Sequence, residues 1–104
     1  MRKPATLTVA AEEDVAGQAV WIAKDNPEAA ACYIHAVAET ISFLEDNPQT
    51  GTRYPTRAHA LRGLRKRQVT GFHNYLIFYL ERDDSLLVVR ILHGARDLPA
   101  VLEE

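Results

Sequence analysis

Tyr75-Leu76-Ile77-Phe78-Tyr79-Leu80-Glu81 is the stretch on which the fold turns. In an extended chain Tyr75, Ile77 and Tyr79 point one way and Leu76, Phe78 and Leu80 the other, so both faces are apolar. A strand of that kind belongs in the middle of a sheet. Gly71-Phe72-His73-Asn74 precedes it and Arg82-Asp83-Asp84-Ser85 follows it, and both connections are of hairpin length. Strand signals flank them at Leu64 to Thr70 and at Leu86 to His93. Together these predict an antiparallel three-stranded meander.

Upstream the period changes from 2 to 3.6. Ile34, Val37, Ile41 and Leu44 form one stripe of an amphipathic helix that runs to about Asp46. Asp25-Asn26-Pro27-Glu28 ends an earlier helix and starts this one: Asn26 caps, Pro27 suits the first helical position, and Glu28 complements the helix dipole. The earlier helix carries Ala16, Ala19, Ile22 and Ala23 at helical spacing, with Glu12, Glu13 and Asp14 in its first turn. So short a link makes the two an antiparallel hairpin. Thr6 to Val9 alternates as a short strand, 52–60 shows no period and reads as loop, and Asp97-Leu98-Pro99 opens a short last helix. The expected order is β-α-α-β-β-β(-α), an α+β fold with a helical hairpin packed on one side of a small antiparallel sheet, in a single domain spanning 1–104.

Charge is distributed unevenly. The formal net charge of −2 divides into three parts: −5 over residues 1–46, with three basic and eight acidic residues; +6 over 47–80; and −3 over 81–104, with three basic and six acidic. Arg53, Arg57, Arg62, Arg65, Lys66 and Arg67 supply the middle segment, which holds no acid. Two readings stand: solvated cations that pair with the acidic helices, or a surface for an anionic partner. A net negative chain does not grip nucleic acid over its whole surface.

Cys32 is the only cysteine, which excludes an intrachain disulfide and fits a reducing cytoplasm. Residues 1–11 hold two basic residues and then about seven mostly apolar ones, at the bottom of the range for a signal-peptide core, and read as a strand; no stretch reaches membrane-spanning length, so a soluble protein is expected. Glycine-rich phosphate loops, nucleophile elbows and His or Cys pairs at metal spacing are missing, and no cofactor is expected. Histidines occur singly at 35, 59, 73 and 93. In Arg90-Ile91-Leu92-His93-Gly94-Ala95-Arg96-Asp97, strand alternation places Arg90 with Val88 and Leu92, where a structural ion pair is the favoured reading. His93 and Arg96 stand at the strand's end, with a proton donor and a cation suited to RNA cleavage.

Ala11-Glu12-Glu13-Asp14, the run from Trp21 to Ala30, Leu61-Arg62-Gly63-Leu64-Arg65, the run from Gly71 to Tyr79 and the closing Arg90 to Asp97 run resemble the RelE/ParE toxin superfamily, most of all its ParE branch. The resemblance implies the toxin of a type II toxin-antitoxin pair. Its expected partners are a cognate ParD-like antitoxin and DNA gyrase, with DNA reached only through the antitoxin and no membrane or small-molecule cofactor. The ribonuclease branch of the superfamily cuts mRNA on the ribosome. Net negative charge, and Arg96-Asp97-Leu98-Pro99 without the tyrosine that often follows in that branch, favour ParE and a non-enzymatic inhibitor. The candidate partner-binding residues are Arg62, Arg65, Lys66, Arg67, Arg90 and Arg96; as a ribonuclease, Arg65, Arg67, His93 and Arg96 would be catalytic. A degenerate toxin that only binds its antitoxin is a third reading.

Overall fold

A computed structural model describes residues 2–94. The expected last helix, together with Arg96, lies outside them. Strand β1 (Ala5–Leu7) leads through Thr8 into α1 (Val9–Asp25), and α2 (Pro27–Asp46) follows after a single residue, Asn26. Both junctions are built from local capping. Thr8 Oγ1 accepts from Ala11 N at 3.0 Å, and Asn26 Oδ1 accepts from Ala29 N at 3.1 Å while its own N–H closes α1 on Ile22 O. β2 (Thr52–Arg53), a 3-10 turn (His59–Leu61), β3 (Arg65–Val69), β4 (Phe72–Glu81) and β5 (Leu86–His93) complete the described order.

The sheet runs β1-β5-β4-β3-β2. As expected, β3, β4 and β5 form an antiparallel meander with β4 central. The sheet is nevertheless mixed rather than antiparallel, because β1 pairs with β5 in parallel, Ala5 opposite Leu86 and Leu7 opposite Val88. Short connections impose antiparallel pairing; β1 is joined to β5 only through the rest of the fold and carries no such constraint. The region 52–60 also holds more than loop: Thr52 and Arg53 pair with Lys66 and Arg65, a ladder too short to leave a period.

The helices cover one face of the sheet. Tyr33, Val37 and Leu44 from α2 meet Val69, Ile77, Tyr79, Val88 and Ile91 in the larger core. Sequence periodicity placed Ile34 on the buried stripe, but the buried row is Ala30, Tyr33, Val37, Thr40 and Leu44, and Ile34 is half exposed. Tyr33 takes the inward position because its ring packs against Phe72 and Tyr75 while its hydroxyl donates to Gln18 Oε1. On the other face Leu64, Phe78, Leu80 and Leu92 form a second cluster with Tyr54 and Leu61 against it.

One register shift changes the reading of β5. Phe78 faces Arg90 and Tyr79 faces Val88, so Val89 is an extra residue. Arg90 therefore does not share a simple face with Val88 and Leu92: Val88 and Ile91 join the helix-side core, and Leu92 joins the opposite cluster. Past the end of β1, side chains of the helix entry and of α1 complete the edge of β5. Thr8 Oγ1 donates to Val89 O at 2.7 Å, Gln18 Nε2 donates to Ile91 O at 2.7 Å, and Ile91 N donates to Asp14 Oδ2 at 3.1 Å.

Candidate protein-binding surface

Strand geometry divides the basic segment. Arg65 and Arg67 lie opposite Tyr79 and Ile77, on the helix side, while Lys66 lies opposite Phe78, on the other. Arg65 Nη1 donates to Gly51 O at 2.8 Å. The Arg67 guanidinium sits 4.7 Å from the centroid of Phe43 on α2, and its Nε is buried without a hydrogen-bond partner among the described residues. Lys66 Nζ is 5.6 Å from the Tyr54 ring centroid. Arg62, in the loop before β3, has Nη2 3.3 Å from both ring nitrogens of His59.

Arg90 is engaged within the fold. Its Nε and Nη2 donate to the two oxygens of Asp14 at 2.7 and 2.9 Å, and that hydrogen bonding raises the guanidinium's pKa above its ordinary value. The structural ion pair expected from the sequence is present. His93 stands across from Tyr75, the two rings edge to face at 5.1 Å. Arg65 and Arg67 are thus neighbours along one face, and His93 is separated from them by β4. Arg96, the fourth residue of the ribonuclease reading, lies outside the described residues.

The cations of 47–80 find no acid among the described residues. Ion pairs there use Arg2 with Glu45 and Asp46, Lys3 with Glu81, His35 with Glu39, and Arg90 with Asp14. None uses Arg53, Arg57, Arg62, Arg65, Lys66 or Arg67. Of the two readings open for this segment, pairing with the acidic helices has no ion pair behind it within residues 2–94.

A second feature had only a faint trace in the sequence. Trp21 on α1 is 59% exposed, and Ile34 and Phe43 on α2 are 50% and 43% exposed. Leu7, Val15, Ile34, Val37 and Ile41 line a groove of about 440 Å³ between the helices, with Glu12 and Glu45 also at its walls. Trp21 falling off the alanine-rich stripe of α1 was the available signal. Phe43, on the flank of α2 opposite Ile34, lies against Arg67, and that pair suits a partner carrying an apolar group beside an acid. Among the described residues no group of three or more His, Cys, Asp or Glu is arranged to hold a metal ion, and no helix is long and apolar enough to cross a membrane.

The described residues thus form a helix hairpin on a mixed sheet, a small α+β domain whose helices expose apolar side chains and whose Arg67 lies against one of them, Phe43. Its sequence matches the family model described as the ParE toxin of type II toxin-antitoxin system, parDE, over residues 5–98. The chain belongs to the ParE toxin family. Among solved structures, one titled the chromosomal ParDE TA system from P. aeruginosa superposes with a TM-score of 0.70, covering 88% of this chain and 96% of that one at 15% identity, a likeness of fold. A comparison with the curated proteins found no match.

Proposed function

We propose that this ParE-family toxin acts in the cytoplasm as a protein inhibitor of DNA gyrase, without catalysis of its own, and that a ParD-like antitoxin neutralises it by covering the helix hairpin and the adjoining edge of β3. The observation that carries this reading is the contact of Phe43 with Arg67: an exposed ring on α2 lies under a guanidinium from β3 that has no acidic partner among the described residues. An amphipathic acidic segment would bury the ring and neutralise the guanidinium in one contact. The comparison structure, titled as a ParDE system, supports an antitoxin partner. Separation of Arg65 and Arg67 from His93 by β4 supports an inhibitor over a ribonuclease.

The test is gyrase supercoiling with purified full-length toxin, with and without the antitoxin encoded beside it, run in parallel with translating ribosomes and intact mRNA. Supercoiling should stop with toxin alone and resume with antitoxin, and the mRNA should stay whole. Codon-dependent mRNA cleavage abolished by His93→Ala would overturn the inhibitor reading. Normal growth of cells holding soluble, folded toxin without antitoxin would point to a degenerate member.

A further inference from the structure

The chain between β2 and β3 passes over the outer face of the sheet and encloses a cleft of about 460 Å³ that the antitoxin and gyrase reading leaves unused. Arg53, Tyr54, Arg57, His59 and Arg62 line it, and no carboxylate side chain does so among the described residues. The walls are fixed. Tyr54 N donates to Leu64 O at 2.8 Å, the Tyr54 ring meets Phe78 edge-on at 5.2 Å, and Ala58 N donates to Thr56 Oγ1 at 3.1 Å. Lys66 Nζ, 5.6 Å from the Tyr54 ring centroid, extends the positive charge beyond the cleft.

Arg53, directly opposite Arg65 on a two-residue ladder, shares that residue's side of the sheet, so the guanidinium groups that the loop itself brings to the cleft are those of Arg57 and Arg62. Arg62 Nη2 lies 3.3 Å from both ring nitrogens of His59, which holds the guanidinium at the cleft. Guanidinium groups match phosphate oxygens with paired donors, and several of them around an open cleft suit successive phosphates better than one compact anion.

We infer that this arginine-lined cleft binds the phosphodiester backbone of a nucleic-acid strand directly and without base selection. Backbone contacts position a protein but carry no sequence information, and none of the cleft's side chains is arranged as a base reader. Direct contact goes beyond the sequence expectation, in which DNA is reached only through the antitoxin. It does not require the gyrase reading to hold.

The test is fluorescence anisotropy of free full-length toxin against a labelled 20-base-pair DNA duplex and a labelled single-stranded RNA of equal length, from 50 to 300 mM salt. Antitoxin is left out. At least one probe should bind, and log Kd plotted against log salt should lose about one unit of slope for each arginine removed in Arg57→Gln and in Arg57→Gln/Arg62→Gln. Lys24→Gln, on the far end of α1, should leave the slope unchanged. The stronger probe identifies the nucleic acid. Absence of binding to both probes at 50 mM salt, or equal slopes in wild type and the double variant with matching circular dichroism, overturns the inference. So does complete displacement by equimolar pyrophosphate. Gyrase inhibition that persists without nucleic-acid binding would sink this inference alone, whereas salt-dependent binding without gyrase inhibition would sink only the gyrase reading.

Discussion

Asp14 and Arg90, far apart in sequence, form a two-pronged ion pair in which Asp14 also accepts the N–H of Ile91. One carboxylate thus ties α1 to β5 through three hydrogen bonds, next to the extra residue Val89. Removing only the acid strands a half-buried guanidinium and a backbone donor. Asp14→Ala should therefore cost roughly 3 kcal/mol, read as a lower urea midpoint. Asp14→Leu with Arg90→Met should regain part of that loss, because no uncompensated charge remains.

Gly51 and Tyr79 are fitted to each other. Gly51 N donates to Tyr79 Oη at 2.9 Å, and the same hydroxyl donates to Pro48 O at 2.8 Å. A Cβ on Gly51 would lie 2.8 Å from Tyr79 Cε1 and Cζ, inside van der Waals contact. Gly51→Ala should destabilise by about 1–3 kcal/mol. The lone variant Tyr79→Phe should cost about 1–3 kcal/mol, because Pro48 O and Gly51 N lose their shared partner. The double variant should cost less than the two single losses added together, a non-additivity that a double-mutant cycle measures.

Two limbs of the stability profile follow from named groups. The Lys3 ammonium hydrogen-bonds Glu81 and holds its carboxyl below the ordinary value of 4.5. The unfolded chain takes up that proton first, so stability falls as pH drops below about 4.5, and Glu81→Gln should flatten the acid limb in pH-dependent thermal melts. Burial, then the neighbouring Tyr75 and Asp14, raises the pKa of the Tyr33 phenol above its ordinary 10.0. Here the unfolded chain loses the proton first, so stability declines above pH 10, and Tyr33→Phe should remove part of that alkaline loss.

Phe43 separates binding from folding. Its ring is 43% exposed and touches Arg67. Phe43→Ala should change the melting temperature little yet weaken the antitoxin complex at least tenfold, about 1.4 kcal/mol, by isothermal titration. An unchanged affinity would place the antitoxin elsewhere.

What the sequence revealed depended on range. The break at Asp25-Asn26-Pro27-Glu28 and the strand Leu86–His93 were legible because caps, turns and alternation act between near neighbours. The parallel pairing of Ala5 with Leu86 was not, because the partner strand is distant in sequence; the two-residue β2 is too short to leave a period, and the extra Val89 is a register shift within a hairpin that alternation alone does not reveal. On α2, Ile34 and Tyr33 compete for the same inward position, and only the aromatic neighbours Phe72 and Tyr75 decide between them. The basic segment was legible as a sum of charges. Its division between two faces followed from alternation along β3, while the absence of acidic partners among residues 2–94 required the fold.

The side chains that seal β5 set an order in time. Every partner of Thr8, Asp14 and Gln18 on that strand lies between Val88 and Ile91. During synthesis, at about 5–20 residues per second, the first helix waits several seconds for them. A nascent chain stalled before Leu86 has no strand on which to seat β1 or α1. The ribosome must therefore release β5 before these contacts can form, and a chain broken off upstream of that strand cannot make them.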